Sequence, residues 1–328
     1  MIDIILERRD EGSIDSGERF IDLCFILVVS GERDKPCLTL SILQIILSMV
    51  RKNIAGFNPS DPLVARLGLG ILEMAHYALR TKIIVSKEAS PGFEFDRMYE
   101  HILHALLSCR KAKIDTIRLI SDHKQKLAQN NIVRCHAGSF EVLETIDAPA
   151  KENIQSFIAN GATAVRDIKQ VLGLFGVDIE CLFQDRGRFY EGIDKLYAAN
   201  QHFLASYLKQ ARGFWIEKFF VRSSELEHRG WIMPDFTYKR LSAEKIEAVE
   251  PMIDGLSISD YSIIMLNRIC GFIENILCHG IKQKLDRHEA VVEIPPPERN
   301  PRAPVRFKIV PRSEAVMEWD IRYAEDDF

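Results

Sequence analysis

The sequence has 328 residues, 47% of them hydrophobic and 27% charged, with a formal net charge of −4 and an isoelectric point near 6.2. A chain of this length buries a sizeable core in one large or two medium globular domains. Its acidic balance excludes a general positive coat for nucleic acid, although a local basic patch is compatible with it.

Residues 20–29, FIDLCFILVV, have the apolar character of a leader, but mixed charge precedes them and no small-residue cleavage site follows. The apolar run at 37–50 is interrupted by Thr39, Ser41, Gln44 and Ser48 and is too short to span a bilayer. The seven cysteines (Cys24, Cys37, Cys109, Cys135, Cys181, Cys270 and Cys278) form no CxxC pair, which predicts free thiols. The expectation is a cytoplasmic protein without a membrane segment.

Helical periodicity predicts three N-terminal helices over 18–30, 37–54 and 62–84, a subdomain within residues 1–94. Four longer helices follow between 95 and 290. The first runs over 96–128, capped by Asp96, with Tyr99, Ile102, Leu103, Leu106, Ile114, Ile117 and Ile120 inward. The second covers about 152–174 around Ile154, Phe157, Ile158, Val165 and Ile168. The third spans 188–221, about 50 Å at 1.5 Å per residue, with Phe189, Ile193, Leu196, Tyr207, Ala211, Phe214 and Phe219 on its stripe. The fourth starts near Ser257 or Ser259 and ends near Leu285, with Lys282 and Lys284 at the negative end of its dipole.

The period changes after residue 291. Past a Pro-rich linker, Val305, Phe307 and Ile309 alternate with Arg306 and Lys308, and Met317, Trp319, Ile321 and Tyr323 alternate with Glu318, Asp320 and Arg322. This predicts a β-hairpin with a basic strand facing an acidic one across a turn at 311–313, followed by an acidic tail. The fold class is therefore an all-α helical bundle with additional N-terminal helices and a small C-terminal β-hairpin.

Few motifs carry chemistry. No Walker loop, GxGxxG, HExxH or GxSxG occurs; Gly68 and Gly70 begin a GxG, but Glu73 stands where a third glycine is needed. Cys135-His136 and Cys278-His279 are adjacent pairs, and neighbouring side chains seldom converge on one zinc. His101 and His104 share a helix with Glu100, but they lie with Arg97 opposite the apolar stripe, where a solvated face accounts for them. No metal or cofactor is expected.

The remaining stretch is RSSELEHRGW, residues 222–231. Arg222 and His228 are separated by five residues, at the end of the third bundle helix and just before Pro234. Arg97 to His104 and Arg118 to His123 have similar spacing but lie inside the first bundle helix, in step with its apolar period. From Lys209 to Arg240 there are seven basic residues against four acidic, and Phe214, Trp215, Trp231, Phe236 and Tyr238 either stack on bases or fill the core.

This stretch resembles the motif of the HEPN superfamily, helical bundles many of which are RNases with an arginine and a histidine separated by four to six residues. The match covers about ten residues as a motif and about 95–290 as a helix order, and its E-H-x-G-W run is similar to uncharacterised bacterial HEPN-like proteins. The resemblance implies metal-independent RNA cleavage, with His228 as general acid/base and Arg222 on the scissile phosphate, giving a 2′,3′-cyclic phosphate. Ser223, Lys218 and Arg229 are candidate substrate contacts beside them. Many active members carry Asn, Asp or His after the arginine, where this chain has Ser223.

The resemblance also implies a homodimer that joins two motifs, RNA as partner, and a setting in microbial defence or as a toxin component. The alternative is a catalytically inactive helical adaptor, with a protein partner engaged through the N-terminal helices or the C-terminal hairpin. Arginine 222 and histidine 228 also admit a purely structural reading, in which they close a helix.

Overall fold

The computed structural model describes residues 61–79, 91–136, 139–228, 232–242, 245–301 and 304–324. The helices expected over 18–30 and 37–54, and the acidic tail after 324, lie outside these residues. Within them the chain is mostly helical, with small antiparallel hairpins.

Asp61 opens the first described helix by accepting a hydrogen bond from the Leu63 amide at 2.9 Å. A π-helical turn, Val64–Leu69, leads into α1, Gly70–Ala78. A Cβ at Gly70 would come within 2.7 Å of the Val305 side chain, so the bare glycine lets the C-terminal segment lie against α1.

Helix α2, Pro91–Ala128, starts earlier than expected. Proline fits a first helical turn because its missing amide has no acceptor there. Asp96 is therefore not the cap; it stands inside the helix and meets His76 Nε2 of α1 at 2.7 Å. Tyr99, Ile102, Leu103, Leu106 and Ile120 are buried as expected, whereas Ile114 is exposed and Thr116 takes its place, its hydroxyl donating to the Ala112 carbonyl at 2.8 Å. A short hairpin follows, β1 (Val133–His136) with β2 (Ser139–Val142).

Helix α3, Asp147–Phe175, ends where Gly176 adopts φ +76°, a left-handed conformation that lets its amide reach the Gly173 carbonyl. After a 3-10 turn at Glu180–Phe183, Asp185 caps α4, Arg186–Ala198, by accepting from the Arg188 amide at 3.0 Å. The single helix expected over 188–221 is broken here. Asn200 takes φ +59°, which asparagine tolerates better than most residues, and α5, His202–Ala211, starts anew. A π-helical stretch, Arg212–Ile216, then joins α5 to α6, Glu217–His228.

Two hairpins precede the last helix: β3 (Thr237–Arg240) with β4 (Ile246–Val249), and β5 (Met252–Ile253) with β6 (Leu256–Ser257). Asp254 and Gly255 form the turn of the second, both at positive φ (51° and 86°), as a two-residue Asp-Gly hairpin turn requires. Ser257 caps α7, Ile258–Lys284, by accepting from the Asp260 amide at 3.1 Å. This helix is the centre of the core, packed by α1, α2 and α3. Among the described residues it alone is long and apolar enough to cross a membrane, and 78% of its apolar window is buried inside the protein.

Strand β8, Phe307–Pro311, forms as expected, but its partner is β7, Glu289–Glu293, with Val291 opposite Ile309. The acidic segment expected to pair with it does not. Trp319 and Ile321 are buried while Met317 and Tyr323 are exposed, so the alternation is too brief to make a strand. Instead the Trp319 ring lies 5.0 Å from that of Phe307, and Lys282 binds Asp320 at 2.9 Å and Glu318 at 3.2 Å.

Charge is also buried in the core. Glu274 of α7, 1% exposed, receives Arg66 at 2.5 and 2.8 Å and Arg306 at 3.3 Å. Arg306 reaches on to Glu293 at 3.3 Å, which also holds Arg299 at 2.8 Å. The network ties the π-helical turn before α1, the central helix and the last hairpin together.

Candidate functional site

Helix α6 is seated by its apolar side. Phe219 is fully buried, and a Cβ at Gly161 of α3 would meet its ring at 2.8 Å, so the two helices cross closely there. Ser223, one turn further along, shares that side and is 1% exposed; its hydroxyl lies 3.4 Å from Glu227. Glu227 in turn receives Arg166 of α3 at 3.2 Å, and that hydrogen bond holds its carboxyl below the usual carboxylate range.

Arg222 stands on the flank of α6, its side chain 30% exposed. One guanidinium nitrogen donates to Glu225 at 2.8 Å and another to Asp254, in the β5–β6 turn, also at 2.8 Å. The Asp254 hydrogen bond, then that from Glu225, raises the arginine's pKa above its ordinary value. His228 occupies the last turn with its side chain 72% exposed, its Nε2 3.8 Å from Glu227. At 3.6 residues per turn, six positions set Arg222 and His228 about 120° apart round the helix. The two side chains thus leave α6 in different directions.

Lys218 is exposed one turn before Arg222 and borders two open grooves. One, of about 450 Å³, is lined by Lys209, Gln210, Gly213, Phe214 and Lys218; the other, of about 220 Å³, by Glu217, Lys218, Val221, Arg222 and Asp254. Arg229, with Gly230 and Trp231, lies outside the described residues.

The other candidate histidines have separate surroundings. His101 and His104 are exposed on α2, and His104 lies 3.7 Å from Glu100. His123 is buried against the Tyr238 hydroxyl at 3.0 Å, and its burial lowers its pKa. Cys135 and His136 are exposed on β1, whereas Cys278 and His279 are buried in α7. Among the described residues no group of three or more His, Cys, Asp or Glu side chains is arranged to hold a metal ion.

Two features of this site escape the motif. Asp254 is the longer-range partner of Arg222, 32 residues away; only its Asp-Gly dipeptide marked a turn. Phe214, placed by periodicity on the apolar stripe, is 57% exposed, because the π-helical stretch turns it outward while Trp215 fills the core.

Compared with protein-family models, curated proteins and solved structures, the chain matches none.

Proposed function

We propose that this chain is a metal-independent endoribonuclease of the HEPN type that works as a homodimer. The observation that carries this reading is His228 itself: a strongly exposed imidazole at the end of α6, on the same helix as an arginine at the rim of a groove. An imidazole changes protonation near neutrality and so serves as a base and then an acid. In this reading His228 takes the proton of a ribose 2′-OH and the 2′-oxygen attacks the adjacent phosphorus. The 5′-oxygen leaves with a proton, and a 2′,3′-cyclic phosphate remains. Arg222 binds the non-bridging oxygens, whose charge grows in the transition state.

Because Arg222 and His228 diverge on one helix, a second copy supplies the opposing pair. Val221 and Ile232, exposed at 49% and 77% beside the end of α6, give that copy apolar surface to cover. A cytoplasmic role in microbial defence or as a toxin component belongs to the same proposal and rests on the motif's resemblance alone.

A second reading, an inert helical adaptor within a larger complex, is favoured by the two carboxylates on Arg222 and by the burial of Ser223. Incubation of RNA with the protein in EDTA, beside His228→Ala and Arg222→Ala, separates the two. The nuclease reading requires cleavage by the wild type that both variants lose; equal traces from all three proteins leave the adaptor.

A further inference from the structure

We infer that the groove over the π-helical stretch of Arg212–Ile216 binds single-stranded RNA, with a base stacked on Phe214 and phosphates on Lys209 and Lys218. This rests on the reading of Arg222 and His228 as an RNA-cleaving pair, and it names the form of RNA that pair would receive.

The backbone makes the groove. A π-helical turn carries an extra residue, which widens the helix locally and turns side chains off their regular positions. Phe214 therefore stands outward at 57% exposure, next to a glycine that adds no bulk. A Cβ placed at Gly213 meets nothing within 4 Å, so the space above the backbone is open. The resulting volume, about 450 Å³, lies within the range of small-molecule sites and holds a flat base.

Its charge selects the ligand. The lining is two lysines, a glutamine, a glycine and a phenylalanine, with no carboxylate. Lys209 Nζ lies 6.0 Å from the Tyr197 ring, and Lys218 closes the other side. Glu217 and Asp254 border only the neighbouring groove, beyond Lys218, where Arg222 already faces Asp254. An exposed aromatic face between two cations is the arrangement that holds unpaired nucleotides: the ring stacks on any base and the cations follow the backbone. A duplex keeps its bases stacked on each other and offers none to Phe214. From Phe214 to His228 the helix runs roughly 21 Å at 1.5 Å per residue, so a strand anchored in the groove extends along α6 past Arg222 to the imidazole.

The test uses full-length His228→Ala protein, which holds RNA without cutting it, and fluorescence anisotropy of labelled oligouridylate and oligoadenylate in EDTA. Binding of both strands is expected, with a duplex of the same length bound more weakly. Phe214→Ala should weaken single-strand binding by about tenfold, the scale of one lost base stack. Gly213→Leu, which fills the notch without changing charge, should weaken it comparably. Lys209→Glu with Lys218→Glu should lower the slope of log affinity against log salt by at least about 1.4, two single-strand phosphate contacts.

Equal affinity in all of these proteins, or a duplex bound as well as single strands, overturns the groove. So does a Phe214→Ala protein whose solution mass changes while its RNA affinity does not, because that face would then join two copies of the chain. The two proposals fail separately. RNA bound in the groove but never cleaved by the wild type removes the nuclease and keeps the groove; cleavage indifferent to Phe214, Lys209 and Lys218 does the reverse.

Discussion

Asp254 holds Arg222 at 2.8 Å from a hairpin turn 32 residues further along the chain. The arginine that would bind a scissile phosphate thus already has an anionic partner, and a phosphate must compete with it. The competition is affordable in energy: a solvent-accessible ion pair is worth about 0.2–1 kcal/mol. Asp254→Asn keeps a residue that accepts the left-handed turn but removes its charge. Cleavage should rise on the order of two- to fivefold over the wild type, in step with that energy. A variant that cleaves no faster, with Arg222→Ala still inactive, would show that the carboxylate does not compete with substrate.

The residue after the arginine gives an independent check. Ser223 faces the core at 1% exposure, so replacing it with asparagine does not add a catalytic amide at the surface. Ser223→Asn inserts bulk between α6 and α3 and should cost about 1–3 kcal/mol of stability. Urea denaturation and RNA cleavage of the same preparation report both effects, and a stable variant with increased cleavage would contradict the packing described.

Acid should unfold this protein through its buried histidines. Burial, with a smaller contribution from Lys282 and against the pull of Asp320, pushes the His279 pKa down to about 4, and its Nε2 has no hydrogen-bond partner among the described residues. The unfolded histidine titrates near 6.5, so below that pH the unfolded chain binds the proton first. His279 therefore contributes its full stability above about pH 6.5 and loses up to about 3 kcal/mol as the pH falls to 4. Burial lowers the His123 pKa as well, which adds in the same direction. His279→Leu should flatten the acid limb of a denaturation series; an unchanged slope would remove His279 as its cause.

The buried charges around Glu274 should be the least tolerant part of the core. Glu274→Gln leaves Arg66 and Arg306 without their shared carboxylate, and removing one partner of such a buried pair costs about 3–5 kcal/mol. The urea midpoint should fall accordingly. A shift below about 1 kcal/mol would mean that Glu293 alone neutralises Arg306, to which it already lies at 3.3 Å.

Helices α2, α3 and α7 were legible because each keeps one apolar face over many turns, which local sequence alone defines. The third helix was not, because its interruption depends on a single asparagine: Asn200 takes a positive φ without altering the hydrophobic period around it. Strand β7 went unread for a different reason. Glu289–Glu293 is a short run whose pairing with Phe307–Pro311 is decided by packing on α7, while the alternation at 317–323 imitates a strand without an edge to join. At the candidate site the position of Arg222 and His228 near a helix end was readable, but the surroundings were not. Arg212, counted among the surface charges, is buried with its guanidinium 4.3 Å from the Phe189 ring, and Phe214, placed inward, faces out. Both reversals come from one extra residue in the helix, which no pattern of residue types announces.

That extra residue also makes the stretch at 212–216 a register adjuster. A π-helical turn is the mark left when one amino acid is inserted into a regular helix. Removing a single residue there would restore the ordinary winding, and everything downstream would rotate by roughly 100°, one step of an α-helix. Phe219 would leave Gly161, Arg222 would swing away from Asp254, and His228 would open onto another face. The orientation of α6 is thus set by the number of residues between Ala211 and Glu217 as much as by their chemistry, so a deletion at this point re-aims the whole candidate site without changing any of its side chains.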